Sequence, residues 1–249
     1  MRILVSNDDG VFSPGIKALA QVASEFGQVR VVAPDVEQSA MSHAITVRRP
    51  LHYTKTNIDG LEAYRVDGTP ADCVALGAFH WDEVDLVLSG INLGYNIGHN
   101  IWHSGTVAAA KQAAFLRIPA IAFSAPYSDE PVDYEVMRPY LRQVIETFVA
   151  EPDMLLLNVN VPARPRGIVW TRQSVRHYEG YVVAGEDPLG RMHYWFAEEP
   201  TEEVEEGTDR WAVDNGYVSI TPLRLDLTDE LELRRAKASD PEAEPATTG

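Results

Sequence analysis

The sequence holds a single cysteine, Cys73. An intramolecular disulfide is therefore excluded, and no Cys/His set has the spacing of a zinc site. Cys73 lies inside an apolar helical pattern and reads as a buried core thiol. Positive charge is scarce: 21 Lys and Arg face 37 Asp and Glu, a net charge of −16. Such a chain lacks the basic face that a nucleic acid polymer needs. A small anionic substrate in a locally positive pocket stays compatible with it, because local potential governs there. No apolar run approaches the ~18 residues of a membrane span, so no membrane partner is expected. Met1 leads almost directly into a strand pattern, which leaves no room for a signal peptide, and the cytoplasm is the expected compartment. No GxGxxG follows that first strand, so the dinucleotide fingerprint is missing. No internal repeat is visible.

What is present starts at Ile3-Leu4-Val5, a short apolar run of the kind that forms a buried parallel strand. It ends in Ser6-Asn7-Asp8-Asp9-Gly10, and Ser13-Pro14 then opens a helical pattern over 16–26 that stops at Gly27. A second strand pattern at 29–33 completes a βαβ unit. Two adjacent carboxylates thus sit at the carboxyl end of a strand, where ligands bind in open α/β sheets. Carboxylates about 4 Å apart repel by roughly 4 kcal/mol at an effective dielectric near 20. Solvent, a raised pKa or a bound cation can relieve this. Taken alone, the stretch also reads as a solvated acidic turn, or as Asp8 capping the next helix.

Two more loops follow strand patterns. One spans 36–43 and carries Ser39 and His43. The other follows a strand at 84–88 and contains Gly90, Asn92, Gly94, Asn96 and Gly98, the composition of a tight loop close to a ligand. Between them, 45–54 and 63–67 read as short strands of a side hairpin or arm, and 70–79 as a helix capped by Thr69 with Asp72 in its first turn. Ser104-Gly105-Thr106 then opens an alanine-rich helix over 107–116. Its free N–H groups and dipole form an anion site, with the Ser104 and Thr106 hydroxyls as added donors. Lys111 can lean back toward that anion. A plain Ser/Thr cap and a solvated lysine are the alternatives.

A fourth strand at 118–124, an amphipathic helix at 134–149 and a fifth strand at 154–161, with Leu155, Leu156, Leu157 and Val159 buried, lead to Pro162 and Pro165. These close the core near residue 165. The expected organisation is an α/β core over 1–165 and a C-terminal extension over 166–236. Aromatic, β-prone segments at 168–181 and 191–196 turn at Glu179-Gly180 and Pro188-Leu189-Gly190. A glutamate-rich loop at 198–206, a strand pair over 211–221 turning at Asn215-Gly216, and a short amphipathic helix at 225–235 follow. Residues 237–249 read as a disordered tail. Aromatic hairpins of this kind often serve as oligomer arms.

The three loops after core strands offer carboxylate, hydroxyl and amide oxygens, with no sulfur or imidazole cluster. Hard oxygens favour Mg²⁺ or Mn²⁺ over Zn²⁺. A divalent ion beside a helix N-terminus suits phosphoryl transfer.

Asn7-Asp8-Asp9-Gly10, Pro34-Asp35 with Ser39, Ser89-Gly90-Ile91-Asn92-x-Gly94-x-Asn96 and Ser104-Gly105-Thr106, in that order, resemble the SurE family of stationary-phase survival proteins. So does the stretch from Gly207-Thr208-Asp209 to Leu223. Met41-Ser42 stands where that family commonly has glycine, and His103 where it commonly has tyrosine. The resemblance implies a Rossmann-like three-layer α/β core with a mainly parallel sheet, plus a C-terminal β-hairpin and helix arm. It implies one divalent Mg²⁺ or Mn²⁺ ion per subunit on Asp8, Asp9, Ser39 and Asn92. It implies phosphate contacts from Asn96, Ser104, Gly105 and Thr106; Lys111 and His43 stand beside these as candidate substrate contacts from the reading of the residues themselves. The implied activity is hydrolysis of nucleoside 5′- and 3′-monophosphates, with some cleavage of short polyphosphate, in homodimers or homotetramers built through C-terminal arms. Asp8, Asn96, Ser104 and Thr106 are then the catalytic candidates. Direct attack by Asp8 would go with an Asp-x-Asp motif; Asp-Asp favours attack by metal-activated water. His43, His99 and His103 are candidates for protonating the leaving oxygen. A nucleoside ribohydrolase and a non-catalytic nucleotide-binding stress module are the rival readings.

Overall fold

Apolar runs alternate with amphipathic stretches along the first 160 residues, and strands under helices are the outcome. The computed structural model describes residues 1–128, 130–151, 153–175, 178–200 and 204–239. In chain order the elements are β1 (Arg2–Ser6), α1 (Pro14–Ala23), β2 (Gln28–Pro34), β3 (Tyr53–Ile58), β4 (Leu61–Val66), α2 (Pro70–Phe79) and β5 (Leu86–Leu93). A 3₁₀ turn (Gly98–Trp102), α3 (Gly105–Phe115), β6 (Ala120–Ala125), α4 (Tyr134–Val149) and β7 (Leu156–Asn160) follow. The remainder is β8 (Ile168–Trp170), β9 (Tyr178–Glu186), β10 (Met192–Pro200), α5 (Asp209–Asp214), β11 (Val218–Pro222) and α6 (Glu230–Ser239).

Nine strands form one sheet in the order β3-β4-β2-β1-β5-β6-β7-β11-β8. From β4 through β7 every pairing is parallel. The two-residue period of β1 divides its side chains between two layers. Ile3 and Val5 pack with Ile16 and Leu19 of α1 and with Met137, Leu141 and Ile145 of α4. Leu4 packs on the opposite face with Cys73 and Val74 of α2 and Val107 of α3. The chain steps from β1 outward to β2, then crosses back to β5 and continues the other way. The sheet order therefore reverses between β1 and β5, where α/β sheets open a crevice at the strand ends. Register pairs Ser6 with Ser89, so the Asp8-Asp9 turn and the end of β5 leave the sheet side by side.

Several expected elements differ. Residues 45–52 are not strand, since Pro50 has no N–H for a ladder. The β3–β4 hairpin is no side arm, because β4 pairs with β2 and extends the main sheet. The third core strand does not end at Leu88 but runs to Leu93, with a register shift between Ser89 and Asn92. At Gly90, with φ +130°, a Cβ would overlap the Phe123 carbonyl oxygen, so this glycine serves close strand packing. Nor does the sheet close near residue 165: β11 pairs antiparallel with β7, and β8 adds beyond it. Leu155, at the entrance of β7, is exposed rather than buried.

The first half of 211–221 is helix, not strand. Thr208 caps α5 by accepting from the Trp211 N–H, and Asp209 sits in its first turn, which outweighs the β preference of Trp211 and Val213. Glu179-Gly180 lies inside β9, whereas Pro188-Leu189-Gly190 does fall in the turn between β9 and β10. β10 takes up part of the expected glutamate-rich loop, of which 201–203 lie outside the described residues. α6 begins later than residue 225 and runs past 237; the rest of the expected tail, 240–249, lies outside the described residues. The β9–β10 pair forms a sheet of its own, with Tyr194, Trp195 and Phe196 exposed, and α6 buries no residue.

Candidate active site

The turn after β1 is held by its own polar groups. The Asn7 amide donates to Ser13 Oγ at 2.7 Å and to the Gly10 carbonyl at 3.2 Å, closing the chain over residues 8–9. Gln38 N–H donates to the Asp8 carbonyl at 2.8 Å, which brings the Ser39 loop against the turn. Asp8 points inward and is only 4% exposed. The Thr106 hydroxyl donates to Asp8 Oδ1, and the Thr106 backbone N–H faces the same carboxylate. The first turn of α3 approaches so closely that a Cβ on Gly105 would lie 2.8 Å from Asp8 Cβ and 2.9 Å from Asp8 Oδ2. The N-terminus of α3 is therefore already taken up by a side chain of the protein itself, the Asp8 carboxyl group. Ser104, rather than Thr106, is the helix cap, accepting from Val107 N–H at 3.0 Å.

Asp9 is half-buried, and its Oδ2 is buried without a hydrogen-bond partner. The Leu93 N–H faces its carboxylate. Burial first, then the charges of Asp8 and Glu37, push Asp9 up to about 7. Burial also raises Asp8, against the hydrogen bond from Thr106. Asp9, Glu37, Ser39 and Leu93 line one cleft of about 500 Å³. Ser39 donates to Glu37 Oε1 at 2.6 Å, which leaves its oxygen lone pairs free. The Asn92 amide donates to the Gly94 carbonyl at 2.7 Å, so its Oδ1 is the end left to accept. Among the described residues no three His, Cys, Asp or Glu side chains converge on a point. A cation here would draw on neutral oxygens as well. An unpartnered buried carboxylate oxygen, a second carboxylate, a hydroxyl and an amide oxygen fit a hard divalent cation.

The remaining candidates separate from that cleft. Ser104, His43 and Lys111 line a different, larger cavity of about 900 Å³, together with Trp102, Phe115 and Arg224. His43 stacks on Phe115 and lies 2.9 Å from Gln112 Oε1. The Lys111 ammonium lies over the Trp102 ring, 4.9 Å from its centre, and forms no ion pair among the described residues. Burial lowers its pKa. His99 and His103 are exposed.

Asn96 is buried between the strand ends. Its N–H donates to Asn160 Oδ1 at 2.8 Å, its carbonyl accepts from Asn158 at 2.7 Å, and its amide donates to Ser124 Oγ at 2.8 Å. Asn7, Ser124, Asn158 and Asn160 were not among the sequence candidates. Asn158 and Asn160 did leave a signal, two amides two residues apart in an otherwise apolar strand, which buried polar groups take up only when they have partners.

With the geometry in view, the chain was compared with known proteins. The family model described as Survival protein SurE matches residues 3–180. A protein of Thermus thermophilus named 5′-nucleotidase SurE 1 is 54% identical over 235 residues, covering 92% of this chain and 93% of its own length. A 5′-nucleotidase SurE of Deinococcus radiodurans is 47% identical, covering 91% of this chain and 88% of its own. The crystal structure of the SurE protein from Aquifex aeolicus superposes with a TM-score of 0.83 at 42% identity, over 96% of this chain and 99% of that one.

Proposed function

This chain belongs to the SurE family, and on that footing we propose that it is a metal-dependent phosphatase that hydrolyses nucleoside 5′- and 3′-monophosphates to nucleoside and phosphate. The observation that carries the reading is the Asp8-Asp9 pair, with Asp8 buried against the start of α3 and half-buried Asp9 keeping one buried oxygen unpartnered. Asp8, Asp9, Ser39 and Asn92 would hold one Mg²⁺ or Mn²⁺ ion per subunit. Bound there, the ion supplies charge for the phosphoryl oxygens and acidifies an attacking water. Thr106 fixes the Asp8 carboxylate by its hydroxyl and opposes the rise in pKa that burial imposes. Asn96, Ser104 and Gly105 stand at the phosphoryl end of the substrate, where amide and N–H donors stabilise developing negative charge. Lys111 draws the anion in from the aromatic cavity, and His43, tied to Gln112, shapes the wall beside the nucleoside. Short polyphosphate is a further substrate of the same groups.

The β9–β10 hairpin and α6, rich in exposed apolar side chains, make the arms of a homodimer or homotetramer in this reading. No helix among the described residues is long and apolar enough to cross a membrane, and we assign the enzyme to the cytoplasm. A phosphate-release screen over nucleotides with Mn²⁺, Mg²⁺ or chelator tests the proposal. Phosphate released with metal and none with chelator supports it. Release of free base makes the protein a ribohydrolase, and binding without turnover makes it a sensor.

A further inference from the structure

The chain between Asn96 and Ser104 carries the groups at the phosphoryl end, and its backbone is fixed by side chains distant in sequence. Asn160 and Asn158 hold residue 96. Gly98, at φ +51°, is held at both ends of its own residue: Asp209 Oδ2 accepts its N–H at 2.9 Å, and the Gln173 amide donates to its carbonyl at 2.7 Å. From Gly98 the 3₁₀ turn leads straight into the Ser104 cap. Asp209 is fully buried, and its second oxygen is equally occupied. Asp209 Oδ1 accepts from Ser174 N–H at 2.9 Å, from the Ser174 hydroxyl and from Arg210 N–H at 2.8 Å. The β9–β10 hairpin leaves the body after Ser174 and returns before Gly207. Its base is closed by Arg172 N–H to the Gly207 carbonyl at 3.0 Å and by Asp209 N–H to the Arg172 carbonyl at 2.9 Å. One carboxylate therefore fastens the base of the hairpin with one oxygen and the substrate loop with the other.

We propose that Asp209 is a positioning residue that sets the 96–104 loop for the phosphoryl group and couples that loop to the base of the β9–β10 hairpin. The inference rests on the reading of that loop as the phosphate-contacting segment. A buried carboxylate with four donors cannot be replaced by an amide without conflict. In Asp209→Asn the single remaining oxygen goes to the three donors at Oδ1, and the new NH₂ then faces the Gly98 N–H. Size and burial are kept, while the hold on Gly98 turns into a clash of donors. Among the described residues no hydrogen bond or ion pair links Asp8, Asp9, Ser39 or Asn92, the proposed metal ligands, to Asp209, Gly98, Gln173 or Ser174, so cation affinity and phosphate affinity should part company.

The test titrates Mn²⁺ and, separately, inorganic phosphate into the full chain and measures kcat/KM on a nucleoside monophosphate. Asp209→Asn should weaken phosphate binding and lower kcat/KM by about 10- to 100-fold, the usual cost of removing a buried supporting partner, while Mn²⁺ affinity changes less than about twofold. Gln173→Ala, at a partly exposed position, should move phosphate binding the same way by a smaller factor, and it serves as the readout if Asp209→Asn fails to fold. Unchanged phosphate affinity in the variant that folds overturns the proposal, as does an equal loss of Mn²⁺ and phosphate binding, which would mean general loosening. The phosphate titration needs no turnover. A wild-type chain that binds phosphate but hydrolyses nothing would thus sink the nucleotidase reading, and the variants would still decide this one.

Discussion

The cleft at Asp9 and the cavity at Ser104 differ in almost everything. Among the described residues, the cleft at Asp9 is lined by Asp9, Asp35 and Glu37 with no cationic side chain. Among the described residues, the cavity at Ser104 has Lys111, Arg172 and Arg224, aromatic Trp102 and Phe115, and a single acid, Asp226. A phosphate ester is repelled by the first unless a cation intervenes and is drawn toward the second without one. In the proposed reading the acidic net charge of the chain hides a division of labour: chemistry at the cleft, recognition in the cavity. In the first turn of α3, Thr106 is bonded to Asp8, whereas Ser104 lines the cavity. If the division is real, changes on the acidic side should cut turnover and metal binding, and changes on the cationic side should act on KM alone.

The largest effect is expected at the carboxylates. Asp9→Asn or Asp8→Asn should lower kcat by at least about 10²-fold, the scale of losing a main electrostatic stabiliser, with the fold kept. Circular dichroism and a phosphate-release assay check both halves; wild-type turnover in either variant would end the metal assignment. Next comes Gly105→Ala. Its Cβ would overlap Asp8, so the carboxylate must move. We expect Mn²⁺ affinity to fall about 10- to 100-fold by calorimetry, a loss without removal of any ligand atom. If the affinity stays at the wild-type level, α3 does not constrain Asp8.

A smaller effect separates the two hollows by pH. In the metal-free protein Asp9 titrates at about 7 instead of 3.8. The folded state therefore takes up a proton more readily than the unfolded chain. The stabilisation from that proton is complete below 3.8 and is lost as pH rises through about 7. Chelated protein should melt a few degrees lower at about pH 8 than at about pH 6, and Mn²⁺ should raise the melting temperature more at the higher pH. Asp9→Asn should remove that part of the slope. A metal-free melting curve with the same slope in wild type and variant would show that the cleft is not the titrating region.

Legibility follows the same boundary. The Asp8-Asp9 turn and the start of α3 could be read because a strand end, a turn and a helix start are local patterns, though the cap is Ser104 and not Thr106, and α4 could be bounded at Tyr134–Val149 from its periodicity. Thr106 was legible as a hydroxyl at a helix start, but its actual partner, Asp8, lies 98 residues away and leaves no trace in the surrounding residues. The same holds for Asp209, which reaches Gly98 across 111 residues. β8 and β11 were missed as sheet members because strand order is set by which edge remains open after β7, a property of the assembled sheet. The helix α5 was missed because Trp211 and Val213 favour strand, and only the cap at Thr208 argues otherwise.

The smallest predicted effect tests the recognition side. Lys111 is held over Trp102 with its charge partly desolvated and no carboxylate paired to it among the described residues. A lysine kept this way is stabilised by gaining an anion, and the nucleotide phosphate is the anion this cavity would meet. Lys111→Met keeps the apolar stem packed and removes only the charge. The interaction exists in the bound ground state and the transition state alike, so its loss should appear as uniform binding. KM should rise about fivefold, roughly 1 kcal/mol, with kcat and Mn²⁺ affinity unchanged, and added salt should narrow the difference from wild type. A fall in kcat at constant KM would instead move Lys111 to the reacting phosphoryl group and erase the boundary between cleft and cavity.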